Sequence, residues 1–222
     1  MNPARDLAEP LGSVLVVAAW DPELERFRAL ARNPLPFGVV VEPVGIGPVD
    51  TAARVTRCIL QHRPQLVVLL GTCGSAPGSG IAIGDVIAGT SVRLADPSVA
   101  AGRAAMPYAE GAIALDGAMR AALVSAGARP ASIANTLGIT TDDALARLLA
   151  PLGEAEHLEA YGVARACQLA DVRCAVVLGV ANVVGARGRE QWRANHVEAS
   201  ARAADIAWDA LVRMSTTQRS PA

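Results

Sequence analysis

The chain has 222 residues, 52% hydrophobic and 18% charged, which is the balance of a folded α/β-sized core and excludes a disordered chain. Its 20 basic and 21 acidic residues leave a net charge of −1, which excludes a general binder of nucleic acid or of acidic membranes. All 20 basic residues are arginine, so a lysine Schiff base, a P-loop lysine and a kinase-type phosphate lysine are excluded too.

In chain order, short apolar runs alternate with amphipathic stretches. SVLVVAA at 13–19 reads as a buried strand. Asp21 and Pro22 then read as an N-cap and first helical position of a helix running towards Arg32. Residues 37–43 read as a strand, and 48–62 as a helix opened by the Gly45-Ile46-Gly47 turn. LVVLL at 66–70 is a buried strand leading into Gly71-Thr72-Cys73-Gly74-Ser75, which reads as a tight turn or an anion-binding nest. Further strands are expected at 86–94, 133–139 and 173–180, and helices at 112–126, 141–149, 158–169 and 193–213. The irregular stretch 96–111 is long enough to be a functional loop. This alternation predicts a single-domain, three-layer α/β fold over 1–222, with a mixed sheet flanked by helices and flexible ends at 1–12 and 214–222.

Four cysteines at 58, 73, 167 and 174 form no CxxC pair, so free thiols in a reducing compartment are expected. No apolar N-terminal stretch and no apolar run of ~18 residues is present, which predicts a cytoplasmic chain without a membrane span. No HExxH, GxSxG or zinc spacing occurs, so neither a metal nor a cofactor is expected.

In open α/β sheets, ligands bind beyond the carboxyl ends of the strands. The residues in those positions are Trp20 and Glu23 after the first strand, and Gly47 after the second. Thr72, Cys73 and Gly74 follow the third, and Asn182 the last. Glu159 lies among Leu158, Val163 and Ala164 at a helix start, which predicts a partly buried carboxylate; His157 beside it reads as a surface histidine. From position alone the helix dipole explains Glu23 better than chemistry does.

Three segments in this order, VGIGPVDTAARV, RPQLVVLLGTCGSAPGSGIAIGDVIAG and HLEAYGVARACQLADVRCAVVLGVAN, resemble the nucleoside phosphorylase/nucleosidase superfamily. The resemblance spans about residues 13–185 and implies a partly closed sheet and a homodimer or larger homo-oligomer. It implies that Glu23 activates water and that Glu159, preceded by Leu158 where the family has Met, binds the ribose hydroxyls. Thr72 takes the place of the hydroxyl in the Gly-rich loop. Asn182 stands where the family's base-facing Asp stands, and Leu145 where its stacking aromatic stands. Two departures bear on the reaction. The phosphorylases carry phosphate-clamping arginines where this chain has Leu69 and Leu24, so water is the expected nucleophile. Asn182-Val-Val-Gly-Ala-Arg187 with Trp192 resembles the corresponding stretch of futalosine hydrolases, which release hypoxanthine; an Asn suits a 6-oxopurine edge. Gly188 replaces the Asp usual after Arg187. The alternatives are a methylthioadenosine/S-adenosylhomocysteine nucleosidase, a phosphorylase and a non-catalytic nucleoside-binding relative. In each case the implied partner is a small-molecule purine nucleoside.

Overall fold

The computed structural model describes residues 12–106 and 111–217. In chain order the elements are β1 (Ser13–Ala18), a 3-10 turn (Asp21–Leu24), α1 (Glu25–Leu30), β2 (Gly38–Pro43), α2 (Pro48–His62) and β3 (Leu66–Ser75). Then come β4 (Val86–Leu94), α3 (Pro97–Ala100), β5 (Ile113–Ala114), α4 (Gly117–Ser125), β6 (Arg129–Asn135) and α5 (Asp143–Leu149). The chain finishes with β7 (Ala155–His157), α6 (Ala160–Leu169), β8 (Arg173–Val183) and α7 (Gly188–Thr217).

The described strands form one mixed sheet. β2, β1, β3 and β8 run parallel side by side. β8 pairs antiparallel with β4, β4 pairs parallel with β6, and β6 with β7. β7 returns antiparallel to β3 through Gly74↔Glu156 and Ser75↔Ala155. The path β3–β8–β4–β6–β7 therefore closes on itself, while β1 and β2 extend it as an open flap.

Alternation along the strands builds two cores. In β1, Val14, Val16 and Ala18 face Phe27 of α1, Met119 and Leu123 of α4, and Ala203, Ala207 and Leu211 of α7. Leu15 and Val17 face the other way, towards Val55 and Ile59 of α2 and Val163 and Cys167 of α6. Burial on both faces explains the unbroken apolar run LVVLL, and each buried Leu or Val contributes about 1.5–3 kcal/mol. All four cysteines are unpaired and buried. Among the described residues no helix is long and apolar enough to cross a membrane.

Several boundaries differ from the expected ones. The segment 71–75 is not a turn: β3 continues through it because β8 and β7 supply its ladder, with a bulge between Cys73 and Gly74. Asp21 caps nothing. The N-cap of the 3-10 turn is the extended Trp20, and the Asp21 carboxylate pairs with Arg28 at 2.7 Å, which lowers its pKa. The start of the expected helix 112–126 is strand β5, and Asp116 then caps α4 by accepting from Met119 N at 2.6 Å. The strand expected at 133–139 lies at Arg129–Asn135, in register with β4. β7 is too short to show a periodicity, so α6 starts two residues later than expected. α7 extends through Thr217, into the stretch expected to be flexible, because Met214 packs on the α7-side core. Part of loop 96–111, residues 107–110, lies outside the described residues, as do the ends 1–11 and 218–222.

Candidate active site

Pro22 turns the chain after β1 so that Glu23 leaves the 3-10 turn inwards, towards the extension of β3. Glu23 is 8% exposed. Its Oε1 accepts from the Thr72 amide at 3.0 Å and from the Thr72 hydroxyl at 2.9 Å. Burial pushes its pKa from 4.5 up to about 7; the charge of Glu159 adds to the rise and the Thr72 donors oppose it. The Thr72 hydroxyl in turn accepts from the indole Nε1 of Trp192 at 3.1 Å. Trp192 stacks on His196, one helical turn along α7, at 4.1 Å and 12°. Trp20 closes this cluster at 6.3 Å from Trp192 and 5.8 Å from His196, and remains 41% exposed at its rim.

Glu159 sits at the N-cap of α6 and is buried as expected. Its Oε1 accepts from Gly47 N at 2.7 Å. Gly47 has φ +85, a left-handed conformation that lets Pro48 begin α2 while the amide of Gly47 points at the carboxylate. His157 is not at the surface but 6% exposed. Its Nδ1 accepts from Glu159 N and Ala160 N, both at 3.1 Å, and so caps α6. A nitrogen that accepts both amides carries no proton, and burial lowers the pKa of the ring. The 3.3 Å approach of Nδ1 to Glu159 Oε2 is therefore a contact with a neutral imidazole and not an ion pair. Asn135 completes the support. Its Nδ2 donates to Thr136 O at 3.0 Å and Leu158 O at 2.9 Å, and its Oδ1 accepts from Tyr161 N at 2.8 Å.

Asn182 lies at the end of β8, half-buried, with Nδ2 donating to Val183 O at 3.1 Å. Gly74 is paired with both Asn182 and Glu156, and a Cβ on Gly74 would lie 2.7 Å from Asn182 Nδ2. The missing side chain leaves room for Asn182 above the strand. Glu156 on the far side accepts from Thr140 N at 3.1 Å and from its hydroxyl, and burial raises its pKa.

The structure thus joins Glu23, Thr72, Trp192 and Trp20 in one cluster and Gly47 with Glu159 in a second, and the charge of Glu159 acts on Glu23. Cys73 belongs to the α6-side core, where burial and the Glu23 charge push its thiol up. Leu158 is half-buried, its carbonyl taken by Asn135. Leu145 packs instead with Ala95, Ala134 and Leu149. Asn135 and His157, which hold the Glu159 segment, carry no sequence signal, because their partners are backbone groups brought close only by folding. Leu24 and Leu69 are fully buried core residues. Among the described residues no group of three or more His, Cys, Asp or Glu side chains can hold a metal. Two buried carboxylates near enough for the charge of one to act on the other, one of them titrating near neutrality, suit proton transfer to or from a small molecule.

No curated protein matches the sequence. The fold is similar to that of 5′-methylthioadenosine/S-adenosylhomocysteine nucleosidase from Neisseria meningitidis in complex with methylthio-immucillin-A: 21% identity, TM-score 0.83, covering 91% of this chain and 100% of that one. It is similar to that of the nucleosidase from Colwellia psychrerythraea in complex with adenine, at 17% identity, TM-score 0.81, 94% and 98%. The futalosine hydrolase of Helicobacter pylori is similar at 16% identity, TM-score 0.80, 94% and 98%. The family model of the phosphorylase superfamily matches residues 38–213, most of the chain including β3, Glu159 and Asn182, and the chain belongs to that superfamily.

Proposed function

We propose that the protein is a purine nucleoside N-ribosyl hydrolase of the futalosine-hydrolase kind. The observation that carries this reading is Glu23: a buried carboxylate, oriented by Thr72, whose pKa of about 7 suits a general base. In the reaction the bond from the purine nitrogen to C1′ breaks through an oxocarbenium-like sugar. Water forms the new bond to C1′ and gives its proton to Glu23, and the base departs with the electron pair. Glu159, held by Gly47, binds the ribose hydroxyls and offsets the developing positive charge. Asn182 offers an acceptor and a donor to a 6-oxopurine edge. Water as nucleophile is supported by Leu24 and Leu69, which lie in the core where a phosphate clamp would need cations.

Base release from futalosine, methylthioadenosine and inosine, each with and without phosphate, tests this. Hypoxanthine from futalosine without phosphate is the expected result. Adenine from methylthioadenosine alone would favour the second nucleosidase, phosphate dependence a phosphorylase, and no release at all a binding protein. We also propose a homo-oligomer, as the family resemblance implies; Ile46 and Val49, exposed on either side of Gly47, support it. Light scattering should give a multiple of 22.8 kDa.

A further inference from the structure

We propose that Trp192 is a positioning residue for Glu23: through the Thr72 hydroxyl its indole N–H ties down the carboxylate oxygen Oε1 and so fixes the orientation of the base. The inference rests on the reading of Glu23 as the base. It follows from counting donors. An indole N–H only donates, so at 3.1 Å it occupies a lone pair of Thr72 Oγ1. The single proton of that hydroxyl then goes to the ionised Glu23 at 2.9 Å, and the Thr72 amide reaches the same Oε1 at 3.0 Å. Both Thr72 donors meet at Oε1, and the backbone amide of Trp20 also favours the carboxylate anion. A donor chain of this kind polarises each successive bond, so the Trp192 N–H strengthens the grip of Thr72 on the anion.

The arrangement is built and not incidental. Trp192 is fixed by its stack on His196 and its contact with Trp20, so the N–H has one direction available. Gly71 lines the carboxylate, and a Cβ there would stand 3.2 Å from both oxygens, so the floor beneath Glu23 is kept open. The other titratable groups around Glu23 are Glu159 from the start of α6, Cys73 from β3 and His196 behind Trp192, while Asp21 on its own turn is engaged by Arg28.

Two variants of the full chain test the relay. Trp192→Phe keeps a ring and removes the N–H; Thr72→Val cuts the relay in its middle. Glu23 ionisation is read by carbon-13 NMR of labelled glutamate carboxylates, assigned with Glu23→Gln, and needs no turnover. In Trp192→Phe the Glu23 titration should move up by about one pH unit, the worth of one strengthened hydrogen bond to a carboxylate. With an active substrate, kcat near pH 7 should fall by roughly five-fold, KM should stay within about two-fold, and the loss should be recovered by about pH 9. A packing defect would not recover with pH. Adding Trp192→Phe to Thr72→Val should cost nothing further. An unmoved Glu23 titration in Trp192→Phe, or an equal Trp192→Phe loss in the Thr72→Val background, overturns the proposal. If no nucleoside is hydrolysed, the reading of function fails while the titration still decides the relay.

Discussion

Glu23 owes its protonation behaviour to its surroundings. Its folded pKa of about 7 lies above the ordinary 4.5, so the folded chain binds this proton more tightly than the unfolded chain. The stability associated with the proton is complete below about pH 4.5 and is lost as pH rises towards 7. At about 1.4 kcal/mol per pH unit, the loss amounts to roughly 3 kcal/mol. Glu23→Gln copies the protonated acid. Its unfolding free energy should match that of the parent at pH 4 and exceed it by about 3 kcal/mol above pH 8, while turnover disappears. Denaturant melts across that range measure this, and a difference independent of pH would falsify the assignment. Position after a strand does not distinguish Glu23 from a helix-dipole carboxylate, and the burial that sets it apart is visible only in the fold.

Among the elements, β8 and α7 show how close packing sets the site. Glycine at 179 lets α7 lie against the strand, because a Cβ there would overlap the carbonyl oxygen of Ala199. That contact brings Trp192 over Thr72. Gly179→Ala should therefore cost about 3 kcal/mol, read from a denaturant midpoint, and should weaken turnover through the displaced indole. The apolar strands were legible because burial on both faces leaves continuous runs of Val and Leu. The end of β3 was not, because Gly71 to Ser75 carries no strand signal of its own; its pairing is imposed by β8 and β7. The start of α6 was obscure for a related reason. Its amides are satisfied by His157 and Asn135, the latter reaching across from β6.

At the scale of the whole molecule, the closed ring of strands gathers loops from both halves of the chain. Glu23 follows β1, Thr72 lies in β3, Glu159 starts α6 and Asn182 ends β8. A ligand that touches all of them ties these segments together and raises stability through the folded state alone. A bound nucleoside at about 100 times its Kd should add roughly 2.7 kcal/mol, seen as a higher melting temperature. Glu159→Ala should abolish most of that rise, since the ribose would lose its carboxylate; an undiminished rise would place the ligand elsewhere.

The sequence by itself determined the alternation of strands and helices, the absence of lysine chemistry and, through three ordered motifs, the family. These are properties of composition and of local periodicity, which neighbouring residues carry unaided. Only the tertiary structure decided which groups act on one another. Thr72 is 49 residues from Glu23, Glu159 is 112 from Gly47, and Trp192 is 120 from Thr72. Their hydrogen bonds, and the burial that lifts Glu23 towards neutrality, exist because the sheet closes and excludes water around them. A pKa reports desolvation and distance, and neither quantity is written along the chain.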